Sequence, residues 1–243
     1  MNADYGIDSP WIVTGEVGCA ILALTVAWAN PHILRWSLRW IGLGAGAYLL
    51  CGAAGMIHYS TVAKRRLRET LLDLIPWRGD ETVLDVGCGR GLLLIGAARR
   101  LTTGSAVGAD VWLPGAITGN RPGAVLRNAE AEGVRSRIAV TWADARASPF
   151  GANTFDVVVS NFVLHELSTP TDRTRVMREM ARVLKPGGRV ALIDFIFTGE
   201  CAAVFKDAGL VPVRSRVGGW RFWIDAVMSA GTFQLHSVVA VKA

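Results

Sequence analysis

At 243 residues the chain has room for one sizeable domain and a smaller appendage. Its four cysteines, Cys19, Cys51, Cys88 and Cys201, are isolated, which excludes a disulfide scaffold and a zinc site, suits a reducing compartment and leaves no metal to expect. Charge is uneven: residues 1–63 are net −1, so the remainder of a +6 chain carries +7, and without a basic tract interleaved with aromatics beyond residues 64–68 nucleic acid is not the expected partner.

The apolar excess lies mostly before residue 60. Trp11 to Ala29 is a 19-residue run broken only by Thr, Gly and Glu16, and Ile41 to Ile57 is a 17-residue run with no charge. A transmembrane helix needs about 17 to 25 apolar residues, so both are read as spans, the second at the lower limit. The first ten residues hold two aspartates and no Lys or Arg, which argues against a secretory signal. Residues 1–62 are therefore expected to be a retained membrane hairpin and 63–243 a separate domain; a buried hairpin in a soluble fold is the rival reading. Gly42, Gly44, Gly46, Gly52 and Gly55 in the second run allow close backbone approach, either between the two spans or to a second copy in a homo-oligomer. Arg35, Trp36, Arg39 and Trp40 in the connector suit a membrane interface. Glu16 is either a functional polar group inside a span or reaches the interface.

"CGAAGMIHYSTVAKRRLRE" then turns from small and apolar to basic, with Lys64, Arg65, Arg66 and Arg68 after Tyr59. Such a cluster is expected to face the cytoplasm against anionic headgroups, each cation worth about 1 kcal/mol, which makes this a multi-pass membrane protein with its catalytic domain inside. A helix over 63–74 is predicted here. Because it would keep the following domain close to the bilayer, Tyr59, with His58 and Lys64, is expected to roof the pocket of that domain.

From there β-branched runs alternate with helix-like stretches. Strands are predicted at "TVLDV", "AVGAD", "RIAVTWAD", "FDVVVSNF" and "GRVALIDF", with helices at "GLLLIGAARRL", "GAVLRNAEAEGV" and "TDRTRVMREMARVL". Continuous Val, Ile and Leu in the strands suits a parallel sheet covered on both faces, and the rhythm gives a doubly wound α/β fold. After a helix at "CAAVFKDAG", two strands around "LVPVRSRV" and "QLHSVVAVKA" are placed to pair antiparallel. "KPGG" reads as a turn before the fifth strand.

"VLDVGCGRG" puts Gly87, Gly89 and Gly91 between the first strand and the next helix, where a tight turn and close approach to a ligand both favour glycine. Asp110 follows at the end of the second strand, placed to accept ribose hydroxyls. The G-x-G-x-G spacing and Asp85 just upstream favour the cationic S-adenosylmethionine over a pyrophosphate, which a carboxylate repels. A dinucleotide-dependent oxidoreductase is the weaker alternative.

These residues resemble the class I S-adenosylmethionine-dependent methyltransferase family over about residues 80 to 195, and in the hairpin its membrane-associated members. "LDVGCGRG" looks like the family's first motif, "VGADVW" its ribose-binding acid, "WADA" its adenine contact, and "FDVVVSNFVLHEL" and "RVLKPGGRVALID" its fourth- and fifth-strand motifs. The resemblance implies a Rossmann-like, seven-stranded, mostly parallel sheet with an antiparallel seventh strand. It implies a cofactor site of Asp85, Gly87, Cys88, Gly89, Gly91, Asp110, Val111, Asp144, Ala145, Asn161 and Phe162, joined by Tyr59 and Lys64 from the junction. "VWLPGAITGNRPG" departs from the family pattern, and Trp112 and Asn120 within it are expected around the adenosine.

His165 and Glu166 follow the fourth strand, where the cofactor's methyl group should point. With Tyr59 they form the expected catalytic set, His165 taking a proton from a hydroxyl or thiol. The plainer reading is a histidine that buttresses the loop and a glutamate in a structural hydrogen bond. Cys88 reads as a small side chain that fits the loop. Trp220, Phe222 and Trp223 read equally as an acceptor pocket or as core. The expected activity is methyl transfer to a small or lipophilic acceptor: a quinone, phenol, prenyl compound or lipid headgroup. A membrane-bound S-adenosylmethionine-binding scaffold without turnover is the alternative.

Overall fold

The computed structural model describes residues 3–29, 36–194, 198–214 and 236–243. The segment with Trp220, Phe222 and Trp223 lies outside them, as does Arg35. The core is a seven-stranded sheet in the order β3-β2-β1-β4-β5-β7-β6. The strands are β1 (Thr82–Val86), β2 (Ser105–Asp110), β3 (Ile138–Trp142), β4 (Phe155–Asn161), β5 (Leu184–Asp194), β6 (Leu210–Arg214) and β7 (His236–Lys242). β1 pairs parallel with β2 and β4, β2 with β3 and β4 with β5, whereas β7 runs antiparallel between β5 and β6. This is the doubly wound sheet and antiparallel strand expected above.

Alternate side chains of each strand leave on opposite faces, so a sheet buried on both sides splits its apolar residues between two cores. Val83, Val157, Val159 and Ile193 join Leu71 and Leu94 on one face. Leu84, Val86, Val158, Val190 and Leu192 join Met177, Met180 and Phe205 on the other. The helices that cover the sheet are α3 (Lys64–Leu72), α4 (Leu92–Ala98), α5 (Pro122–Ala131), α6 (Pro170–Val183) and α7 (Thr198–Asp207). α6 shows why such a segment is a helix: Thr169 caps it through Asp172 N–H, Pro170 occupies its first turn, and Val176, Met177, Met180 and Ala181 form its buried stripe. The order reverses between β1 and β4, which opens a crevice at their carboxyl ends. "KPGG" is not a separate turn ahead of the strand. It is a bulge inside β5, whose pairing with β4 jumps from Phe155↔Leu184 to Val157↔Arg189.

Helices α1 (Pro10–Ala29) and α2 (Trp36–His58) pack on each other. The close approach is made by glycine: a Cβ on Gly42 would sit 3.1 Å from the Ala27 Cβ, and one on Gly46 would sit 2.6 Å from Leu24 Cγ. Glu16 turns toward α2, its carboxylate 3.3 Å from where a Gly52 Cβ would be. Trp11, Ile21, Leu22, Trp28, Ile41 and Tyr48 are exposed on the outside of the pair. Both helices are long and apolar enough to cross a membrane.

The junction differs from the expected helix over 63–74. α2 continues through a π turn (Tyr59–Ala63) into α3 with αR backbone at His58, Ala63 and Lys64, so one helix runs from Trp36 to Leu72. Lys64 and Arg68 are buried, because they face a segment the sequence had not marked. Residues 3–9 form a strap folded back over the domain. Ser9 N–H donates to Ala116 O (2.8 Å), Thr118 N–H to Ile7 O (3.0 Å) and Asp4 N–H to Asn128 Oδ1 (2.9 Å). These contacts cross the boundary expected at residue 62, and Lys64, Arg68 and the exposed Arg65, which donates to Ala3 O, also bind the strap, leaving Arg66 as the exposed cation of the cluster turned away from it.

Candidate active site

The site is built on the loop from β1 to α4. Gly87, Gly89 and Gly91 have φ of 70°, 53° and 85°, a left-handed backbone that side chains resist. At Gly87 space is limiting too, since a Cβ would lie 2.2 Å from Val163 Cγ2. Gly87 N–H and Cys88 N–H donate to Ala109 O at 2.8 and 3.2 Å, tying the loop to β2. Asp110, at the end of β2, accepts from Gly89 N–H (2.7 Å) and Trp112 N–H (2.6 Å), and the Trp112 indole N–H donates to Gly89 O (3.0 Å). Val111 lies between them, half-buried. Asp85 is buried behind the loop and accepts from Leu94 N–H at 2.8 Å; burial pushes its carboxyl well above the usual range, and Asp110 adds to the rise. Burial, with Asp85 and Asp110 nearby, also pushes the Cys88 thiol well up, which fits a small packing residue and not a nucleophile.

The second half of the site lies at the ends of β4 and β5. Asn161 ends β4 and Phe162 follows with a φ of 56°, its N–H donating to Ile193 O at 2.9 Å. The Phe162 ring is 6.1 Å from Tyr59 and 6.0 Å, edge to face, from His165. His165 sits between two carboxylates: Nδ1 is 3.3 Å from Asp194 Oδ1 and Nε2 is 3.2 Å from Glu166 Oε1. Asp194, 1% exposed at the end of β5, also accepts from Leu164 N–H at 2.9 Å. Sequence reading passed over Asp194. The signal was an acid ending a buried strand beside the one that delivers His165.

Between the halves lies a cleft open to solvent, with about 370 Å³ of empty space counting that open side, lined by Gly87, Cys88, Gly89, Asp85 and Asn161 together with Tyr5, Asp8, Lys64, Arg90 and Ile117. The strap residues Tyr5 and Asp8 are its unexpected wall. In the sequence Asp8 counts only as charge and as evidence against a signal sequence and Tyr5 carries no signal, for no local pattern marks a segment whose partners lie more than fifty residues away. Lys64 lines the cleft as expected, but its ammonium donates to Tyr5 O (2.9 Å), Gly6 O (2.6 Å) and Asp8 Oδ2 (3.0 Å), so it holds the strap. Tyr59 packs on Phe162, neither ring is among the cleft-lining residues, nor are Asp110 and His165, and His58 is exposed instead of roofing the cleft. Asp144 and Ala145 lie apart, in a pocket with Leu84, Val86 and Met180. The Asp144 carboxylate is held by Arg146, at 2.6 Å from Nη2, which keeps it below the usual carboxylate range. To meet an adenine amino group it has to share that partner. Asn120 supports the loop through Leu113 O, and its Oδ1 is buried without a hydrogen-bond partner among the described residues.

These residues fit S-adenosylmethionine. The glycine loop leaves room where side chains would intrude, Asp110 stands at the end of β2 against that loop, and two buried polar atoms, Asn120 Oδ1 and Arg90 Nε, have no hydrogen-bond partner among the described residues. No group of three or more His, Cys, Asp or Glu side chains able to hold a metal occurs among the described residues.

Residues 83–188 match the methyltransferase domain family. The chain is 33% identical over 175 residues to 27-O-demethylrifamycin SV methyltransferase of Amycolatopsis mediterranei, covering 72% of this chain and 58% of that protein. It is 37% identical over 119 residues to the ubiquinone/menaquinone biosynthesis C-methyltransferase of Escherichia coli, covering 49% of this chain and 44% of that one. The chain thus spans about half the length of these curated relatives. Among solved structures, the 4+2 cyclase SpnF has the same fold (TM-score 0.58, 20% identity, 76% of this chain and 83% of that one). Residues 83–188 are accordingly a methyltransferase domain, and the cofactor its cleft is built for is S-adenosylmethionine.

Proposed function

We propose that the protein is an S-adenosylmethionine-dependent methyltransferase anchored in a membrane by α1 and α2, its domain on the cytoplasmic side, acting on a small lipophilic acceptor such as a quinone, phenol, prenyl compound or lipid headgroup. The observation that carries this reading is the unbroken helix from α2 through the π turn, which brings Tyr59 onto Phe162 and so within one ring of His165. π turns recur at functional sites because the extra residue re-aims side chains. An acceptor that partitions into the bilayer would meet the site where this helix leaves it. The two relatives whose names mention a rifamycin and quinones support an acceptor of this kind.

When bound, the cofactor supplies an electrophilic methyl carbon on a sulfonium. The chain's own residues have to align the acceptor, exclude water and handle a proton. Alignment alone can supply about 7 to 11 kcal/mol. Phe162 and Tyr59 give the acceptor an apolar wall. Asp194 faces Nδ1 and fixes the imidazole, so Nε2 takes the proton of an acceptor hydroxyl while Glu166, 3.2 Å away and half exposed, balances the charge that forms.

The test is to incubate membranes containing the protein with methyl-labelled cofactor and a lipid extract, then follow the label by mass spectrometry. Label in an extractable small molecule is the expected result, and label confined to proteins or nucleic acids overturns it. The second reading is a cofactor-binding scaffold without turnover. It predicts binding with no labelled product from any fraction.

A further inference from the structure

The strap carries more contacts than a passive leader needs. Tyr5 donates to Glu132 Oε1 and accepts from Arg68 Nη1 (3.0 Å), Ser60 Oγ donates to Asp8 Oδ2 (2.8 Å), and Asp8 N–H donates to Ser60 Oγ (3.0 Å). Arg90, from the glycine loop, reaches the strap through Asp4 Oδ2 (2.8 Å) and the facing loop through Thr118 O (2.5 Å). Two polar atoms in this arrangement remain unused. Lys64 and Ser60 both engage Asp8 Oδ2, while Asp8 Oδ1 accepts no hydrogen bond from the described residues. Arg90 Nε is buried with none, on a side chain only 11% exposed. Both residues line the cleft that holds Gly87 and Asn161.

We propose that Asp8 and Arg90 clamp the zwitterionic amino-acid end of the cofactor, Asp8 Oδ1 accepting from its ammonium group and Arg90 Nε donating to its carboxylate. The inference rests on the S-adenosylmethionine reading of the cleft. A half-buried acceptor, on a carboxylate 29% exposed at the cleft, and a buried donor of opposite charge suit one ligand group that carries both signs, and charge-assisted bonds are the strong ones. Lys64 cannot take the carboxylate, since its three hydrogens already hold the strap. The strap runs directly into α1 at Pro10, so the clamp ties cofactor binding to the seating of the first apolar helix.

The experiment is calorimetry on the full chain in lipid nanodiscs with two ligands. S-adenosylhomocysteine has the amino-acid group, and 5′-methylthioadenosine keeps the nucleoside without it. Asp8→Asn and Arg90→Lys should each weaken S-adenosylhomocysteine about tenfold to a hundredfold while leaving 5′-methylthioadenosine within about twofold. An equal loss for both ligands, the mark of a strap that only shapes the cleft, overturns the proposal, as does no loss for either. A selective loss in Asp8→Asn alone overturns the carboxylate half. Unaltered protein that binds neither ligand overturns the cofactor reading itself, a result distinct from the others.

Discussion

At Gly87 two constraints coincide, a left-handed φ and a neighbouring valine methyl 2.2 Å from where a Cβ would stand. Gly87→Ala should therefore weaken S-adenosylhomocysteine by tenfold or more in calorimetry, since left-handed backbone costs about 1 to 2 kcal/mol before the clash is counted. Asp194 is the residue that decides whether His165 is a base or a buttress. If it orients a base, Asp194→Asn lowers kcat about a hundredfold with an oxygen acceptor and changes its pH profile, while cofactor affinity stays within about twofold. Unchanged kcat with lowered thermal stability would leave His165 as a buttress. Cys88 should stay unlabelled by iodoacetamide at pH 8 until the protein is unfolded, because burial keeps its thiol protonated. The placing of the glycines, Asp110 and His165 at strand ends was legible in the sequence because each lies in one short turn. The placing of Asp8 and Arg90 at the cleft and of Asp194 beside His165 was not, because it exists only once distant segments meet.

The strap and the continuous helix act as one element. Glu132, 14% exposed, joins Tyr5, Arg68 and Arg99, and against the cost of burial these partners hold its carboxyl below the usual glutamate range. Burial and the Glu132 hydrogen bond in turn push the Tyr5 hydroxyl up. A folded-state pKa below the unfolded one gives stability that is complete above about pH 4.5 and is lost as pH falls through the folded value. Hydrogen exchange should accordingly show residues 3–9 losing protection on acidification below about pH 4.5 before β1 does. Glu132→Gln should shift that loss to neutral pH, with a destabilisation of about 1 to 3 kcal/mol from a buried Arg68 left short of a charged partner. Period and composition made the seven strands and most helices readable. The π turn had no signature, since a helix with one extra residue has the same residue preferences as one without.

At the scale of the whole molecule, the apolar hairpin and the methyltransferase domain meet at two places, the covalent helix after α2 and the strap before α1, which reaches the domain through hydrogen bonds and ion pairs. Under the membrane reading the protein should stay in the pellet after carbonate extraction, and release into the supernatant would favour a soluble fold. Removing only residues 1–9 should keep it in the pellet yet lower affinity for S-adenosylhomocysteine, which separates anchoring from cofactor binding.

The sequence by itself determined the sheet, the glycine loop and its cofactor, and the presence of two long apolar helices, because each depends on residue types in one short window. Tertiary structure alone decided that Lys64 and Arg68 turn inward, that the cleft takes a wall from residues 3–9, and that His165 lies between Glu166 and Asp194. A buried cation must find its partner wherever the fold supplies one, and nothing in the neighbouring residues says where that is.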